Sequence, residues 1–195
     1  ENYQVVDSFE CGNGYVTDLH ELRILPNGNF LLMSYDTRTV DSIPSVMIPM
    51  ASRVIGVILQ EIDPQRNVIF QWRSWDYFLI TDATHENLNA PVVDYCHSNA
   101  IEIDNDGNWL LSSRNMDEIT KIDRITGRLI WRLGGKNNQF TFINDTDKFS
   151  HQHAIRRIKN GNITLYDNGN FHNPPYSRAI EYKLDEVNKT ATLVW

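Results

Sequence analysis

The sequence predicts an all-β protein, a β-propeller of which about three four-stranded blades are visible in 195 residues. Three observations carry that prediction. A unit that opens on histidine and runs through a turn into an apolar strand occurs three times, at His20 to Leu32, His97 to Leu111 and His153 to Leu165. Each copy is followed by an apolar-Asp pair, a turn and a strand closing on tryptophan: Asp63 to Trp72, Asp123 to Trp131 and Asp185 to Trp195. The aspartates lie 60 and 62 residues apart, a period that fits propeller blades rather than a helical solenoid. Strand-forming residues dominate, and no window of 12 or more residues carries a helical apolar stripe.

Within each unit, strand A runs from the histidine to the turn and strand B follows it. Strand C ends at the apolar-Asp pair, and strand D ends at the tryptophan. Asn27-Gly28, Asp106-Gly107 and Asn160-Gly161 are two-residue hairpin signals of type I′, in which both central residues take positive φ. Counting outward from these turns places Arg114 opposite Asn99, Asn168 opposite His153 and Tyr35 opposite His20, to within one residue if a bulge intervenes. The start of strand A and the end of strand B share one end of a blade near the axis, so all three histidines and Arg114 are expected to line one mouth of the channel.

The blade units fall at residues 18–75, 96–135 and 150–195, with an insertion at 75–95 containing His85. Two B-to-C connections, Asp36 to Arg53 and Gly169 to Tyr176, are expected to rise over the mouth, where loops on a rigid scaffold carry binding residues. Three units do not close a ring, so the sequence reads as a segment of a longer propeller. Trp72, Trp131 and Trp195 read as core residues, and His151 as an exposed loop residue. Gly134-Gly135 reads as a tight exit from strand D rather than a phosphate loop, since no helix follows it.

Apolar residues make up 41% of the chain and aromatics 11%, the composition of a folded globular protein. No apolar run is long enough to span a membrane. The net charge of −7 and pI near 5.3 exclude a general nucleic-acid surface, which needs a concentrated positive field. Cys11 and Cys96 are the only cysteines, too few for a disulfide framework, and they have no metal-binding spacing. The first residue is Glu1, with no charged-then-apolar leader after it. Three Asn-x-Thr sequons, at Asn144, Asn162 and Asn188, are unremarkable in so turn-rich a chain.

Chemistry concentrates in His20, His97, Asn99, Arg114 and His153. Three imidazoles, a guanidinium and an amide at one mouth would form an anion pocket that also holds a nucleophile or base. Arginine offers a planar fork to tetrahedral oxyanions, and neutral histidine attacks electrophiles or moves protons near pH 7. Transfer of a sulfuryl or phosphoryl group needs such an array, because charge builds on three equatorial oxygens while nucleophile and leaving group stay in line. Singly, each histidine reads first as a hydrogen-bonded structural residue at a strand start; taken together with Arg114, the set reads as a functional cleft. A three-histidine zinc site is the rival functional reading, although ligands on separate blades must then approach closely. Asp18 and Glu21 flank His20 as candidate orienting carboxylates.

Taken in order, Asp18-Leu19-His20-Glu21, Cys96-His97-Ser98-Asn99-Ala100, Ser112-Ser113-Arg114, Trp131-Arg132-Leu133-Gly134-Gly135, Gln152-His153, Tyr166-Asp167-Asn168-Gly169 and Ser177-Arg178-Ala179 resemble the arylsulfate sulfotransferase family of bacterial six-bladed propellers. The resemblance runs from about Asp18 to Trp195. It implies an extracytoplasmic enzyme, periplasmic or secreted, that moves a sulfuryl group from a phenolic sulfate ester to a phenol without the nucleotide sulfate donor, through a sulfohistidine. It implies His153 as nucleophile, with His20, His97 and Arg114 binding the sulfuryl oxygens and assisting proton transfer. Asn99, Asn168, Tyr176 and Arg178 are then substrate-binding residues. No cofactor and no metal are called for, and the expected partners are a small phenolic sulfate donor and a phenol acceptor, with no nucleic acid. Two other readings stand beside it: a sulfate-ester hydrolase in which water resolves the sulfohistidine, and a non-catalytic module binding an anionic ligand or glycan.

Overall fold

The computed structural model describes residues 3–44, 46 and 51–195, and within them the protein is built from three antiparallel meanders. The first comprises β1 (Thr17–Ile24), β2 (Phe30–Val40), β3 (Ser52–Ile62) and β4 (Val68–Arg73). A short strand from the insertion, β5 (Val92–Asp94), lies parallel against the start of β3. The second comprises β6 (Ser98–Ile103), β7 (Trp109–Ser113), β8 (Glu118–Ile122) and β9 (Leu129–Gly134). In the third, β11 (His153–Arg157), β12 (Ile163–Asp167), β13 (Arg178–Asp185) and β14 (Thr190–Leu193) are joined by β10 (Thr141–Ile143), which pairs parallel with β14.

The first strand of each meander packs against its counterpart next door, β1 on β6 and β6 on β11. This is the propeller arrangement, with strand A innermost in every blade, and it is not a closed barrel. Alternation with period two lets the middle blade bury both faces. Ile101, Trp109, Leu111 and Ile122 enter a core shared with Leu31, Val57, Leu59 and Trp72 of the first blade. Ala100, Leu110, Ile119 and Trp131 enter one shared with Ile155, Ile163, Ile180 and Tyr182 of the third.

The blade-closing tryptophans stitch neighbours together. The Trp72 indole N–H donates to the Gly127 carbonyl in the C-to-D turn of the second blade (3.0 Å), and that of Trp131 donates to Glu186 in the same turn of the third (2.8 Å). Both rings are 1% exposed. Trp195 departs from the expectation of a core residue: it is 60% exposed and bonds Glu181 in its own blade (2.6 Å). Among the described residues no further sheet covers its face.

The hairpin turns differ in type from the sequence expectation. Gly28, Gly107 and Gly161 take positive φ, but Asn27, Asp106 and Asn160 do not. In all three turns the glycine amide donates three residues back, to Leu25, Asp104 or Ile158 (2.9 Å each). The preceding Asn or Asp side chain accepts from the amide two residues on. These are three-residue loops in which only glycine is left-handed, and the register moves by one. A side chain from strand C buckles each turn. Glu61 accepts from Asn27 and Asn29, and Glu181 from Asn160 and Asn162. The equivalent Lys121 holds Asp104 and Asp106 (2.8 Å each).

Much of the first proposed loop is strand, since β2 and β3 extend to pair Val40 with Ser52. Arg38 there stacks over Trp75 at 4.8 Å, and residues 45 and 47–50 lie outside the described residues. Cys11 and Cys96 are buried free thiols.

Candidate active site

Each innermost strand is irregular where its histidine stands. Pairing breaks between Thr17 and Leu22, between Ser98 and Ala100, and between His153 and Arg156. Left-handed backbone accompanies the breaks, at His97 (φ 44°), His151 (φ 51°) and Ala154 (φ 57°), a conformation that carries on the order of 1 kcal/mol or more of strain per non-glycine residue. These bulges correct the counted register a second time. Arg114, expected opposite Asn99, donates its amide to the His97 carbonyl (3.0 Å), and His153 pairs with Tyr166 rather than Asn168.

The three repeat histidines hold their Nδ1 atoms differently. Asp18 Oδ1 takes both the His20 amide (2.9 Å) and Nδ1 (2.6 Å). Asp94 clamps His97 in the same way, Oδ1 on the amide (2.9 Å) and Oδ2 on Nδ1 (2.7 Å). His153 has no carboxylate; its Nδ1 lies 3.2 Å from the His151 carbonyl and 3.3 Å from Asn168 Nδ2. A carbonyl only accepts, so Nδ1 carries the proton. Asn168 is then a neighbour rather than a donor to that atom, and the Nε2 lone pair is left free. Of the two carboxylates flanking His20, Glu21 is taken by Arg156 (2.8 Å).

The groups converge across blades. The His20 and His97 rings meet edge to face with centroids 5.8 Å apart, and Tyr35 lies 6.5 Å from His97. Arg114 donates to Asn115 Oδ1 (2.7 Å), and Asn115 in turn donates to the Asp94 carbonyl (2.6 Å). Burial holds His153 below the ordinary histidine value; the His151 carbonyl opposes this, and the charges of Arg114, His97 and His20 reinforce it. Among the described residues no three His, Cys, Asp or Glu side chains stand together as metal ligands.

His151, expected on the surface, is 5% exposed and has a left-handed backbone (φ 51°). Its imidazole is pushed down to about 4, by burial first and then by the charges of Arg114, His85, His97 and His153. The next residue, Gln152, is a fully buried staple between blades. Its amide nitrogen donates to Ser112 Oγ (3.1 Å) and to the carbonyls of Ser113 (3.3 Å) and Glu118 (3.0 Å). Asn99 Nδ2 grips the Gln152 carbonyl (2.9 Å). Asn99 is itself 5% exposed, so the contact made by its amide braces the backbone before His153.

These observations describe a bank of histidines at the starts of three innermost strands, with one arginine just past the end of β7. A family model described as Arylsulfotransferase (ASST) matches residues 4–195. The chain belongs to the arylsulfotransferase family. Among solved structures, 11 chains match. One is a protein of unknown function from Bacteroides caccae, 12% identical over 95% of this chain and 68% of that one, with a TM-score of 0.45. No curated protein matches.

Two of the residues that the arylsulfotransferase resemblance marks for substrate stand apart from the histidine bank. Arg178 is bound by Asp167 and by both oxygens of Asp145 (3.0 Å each). Tyr176 donates to Asp147 (2.5 Å) and stacks on His172. Together they brace the segment 169–176, which carries Phe171 to a cavity of about 430 Å³ lined by His85, Asp117, Phe149, Ser150 and His172. Sequence reasoning gave no role to Asp94, Asn115, Gln152 or Asp117. One signal was present: an aspartate precedes His20 by two residues and His97 by three, and none precedes His153 so closely.

Proposed function

We propose that this arylsulfotransferase-family protein moves a sulfuryl group from a phenolic sulfate ester to a phenol through a sulfohistidine on His153. The observation that carries this reading is the inequality of the three repeat histidines. His20 and His97 each have a carboxylate on Nδ1, whereas His153 has a main-chain carbonyl, is half-buried and faces the charge of Arg114. An uncharged imidazole with a free Nε2 is what attack on sulfur requires.

In the first half-reaction His153 Nε2 forms a bond to sulfur as the ester S–O bond breaks, and the departing phenoxide takes a proton from His20 or His97. Arg114 and the Nε2 sides of His20 and His97 meet the charge on the sulfuryl oxygens, and Arg114 stays charged throughout. In the second, the acceptor oxygen attacks sulfur as its proton passes to the histidine, His20 or His97, that protonated the phenoxide, and the N–S bond breaks with its electron pair returning to Nε2. Asn99 holds His153 in place, Asn168 lies beside its ring, and Tyr176 and Arg178 shape the adjoining segment. An extracytoplasmic setting belongs to the same proposal; no helix among the described residues is long and apolar enough to cross a membrane.

The test is incubation with 4-nitrophenyl sulfate, with and without an acceptor phenol, together with mass analysis of the peptide bearing His153. Acceptor-dependent nitrophenol release and a sulfuryl adduct on His153 are expected, both lost in His153→Ala. Acceptor-independent turnover would make the protein a hydrolase. Neither release nor adduct would leave a non-catalytic binding module.

A further inference from the structure

The backbone that leads into His153 is held residue by residue. Ser150 gives its amide to Asp167 Oδ1 (2.9 Å), and His151 gives its amide to Asp117 Oδ1 (2.6 Å). Gln152 is fixed by its own side chain and by Asn99. Of these three residues only His151 is left-handed, a strain that persists where the surroundings over-determine it. Its carbonyl is also the one that faces His153 Nδ1 (3.2 Å).

Asp117 is itself fixed on every side. It is 7% exposed and left-handed (φ 49°), and its amide donates to the Arg114 carbonyl (3.1 Å), closing the turn that carries the arginine. Its second carboxylate oxygen lies 3.0 Å from His85 Nε2, and the His85 ring is stacked on Phe171 with centroids 3.5 Å apart. The Gly134-Gly135 pair makes room for it: a β-carbon at either position would overlap the carbonyl oxygen of Asp117 or of Met116. One residue therefore ties the arginine turn of the second blade to the approach of the nucleophile in the third.

We infer that Asp117 is a positioning residue for sulfuryl transfer: by holding the His151 amide it sets the His151 carbonyl against His153 Nδ1 and so keeps the Nε2 lone pair for sulfur. The inference rests on His153 as the nucleophile. Asp117 acts only as a hydrogen-bond acceptor and gives up no proton in the cycle. Once the His151 carbonyl swings away, the imidazole proton is free to move to Nε2, where it blocks attack.

The test uses the whole chain and two substitutions that both tolerate a left-handed backbone. Asp117→Asn keeps an acceptor for the His151 amide, whereas Asp117→Gly removes it and retains the main-chain bond to Arg114. With 4-nitrophenyl sulfate, the rate constant of the nitrophenol burst should fall about 100-fold in the glycine variant and about tenfold or less in the asparagine variant. The donor concentration at half-maximal rate should stay within about threefold in both, since Arg114, His20 and His97 are untouched. Proton–nitrogen correlation spectra of the imidazoles should show His153 protonated on Nδ1 in the wild type and in Asp117→Asn, and a mixture of tautomers in Asp117→Gly. A burst whose amplitude falls while its rate constant holds marks a merely structural role and overturns the inference. So does His153 protonated on Nε2 in the wild type, or one tautomer common to all three proteins. If the glycine variant does not fold, Asp117→Ser, a side chain one atom shorter than aspartate, takes its place in both measurements with the same expectations. A wild type with neither burst nor His153 adduct overturns the transfer reading itself, while the tautomers still decide whether Asp117 sets the ring.

Discussion

Acidification tests the burial of His151 directly. In the folded chain its imidazole is pushed down to about 4 from the ordinary 6.5, by burial and then by its positive neighbours. The folded value is the lower one, so between these limits the unfolded chain binds a proton that the folded chain refuses. The stability this confers is therefore fully present above pH 6.5 and is lost as pH falls toward 4. The whole loss amounts to about 3 kcal/mol, or roughly 6–12 °C in Tm for a chain of this size. Thermal melts of wild type and His151→Asn from pH 7 to pH 4 isolate it, since the titrating carboxylates largely cancel in the difference. Asparagine accepts the left-handed backbone at this position. The wild type should lose stability faster than the variant across this window. A Tm difference that stays constant within about 2 °C, against the 6–12 °C expected, would refute a neutral, buried His151.

Arg114→Ala should lower turnover about 100- to 1,000-fold, the range for removing one oxyanion donor, and slow the nitrophenol burst. Asp94→Asn replaces two acceptor oxygens by one, so either the His97 amide or its Nδ1 loses its partner; stopped-flow turnover should fall about 100-fold with the far-UV spectrum unchanged. Gln152→Ala strips three acceptors of their buried donor. Each orphaned group costs about 1–3 kcal/mol before relaxation, so urea unfolding should show a loss of at least about 2 kcal/mol.

The blade repeat was legible because its signals are local: an apolar alternation, a glycine in each turn, a tryptophan closing each unit. Turn type was not, because Asn-Gly and Asp-Gly fit both a two-residue loop and a three-residue loop with only glycine left-handed. That choice shifted the register by one, and bulges on the innermost strands, invisible in the pattern, shifted it again. At the site, His20, His97 and His153 could be found because they repeat. Asp94 and His85 come from the insertion, which has no counterpart in the other units; Asp94 is hinted at only by the aspartate that also stands just ahead of His20, and nothing in the repeat singles out His85. His151 was misplaced for a related reason: its amide is held by Asp117 and its ring packs on Phe171, contacts between distant segments that no local pattern reveals.

The side chains that buckle the three hairpin turns carry alternating sign, Glu61, Lys121 and Glu181, each against a turn of matching polarity. Consecutive units of a repeat protein are close enough in shape to exchange hairpins during folding, a characteristic route to misassembly. Here a hairpin of the middle blade docked on either neighbour's third strand would set Asp106 against Glu61 or Glu181. A neighbour's hairpin docked on β8 would meet the ammonium of Lys121 with the amides of Asn27 and Asn29, or of Asn160 and Asn162, in place of carboxylates. The charge alternation therefore serves as an address, giving each blade a way to reject the strands of the blade beside it.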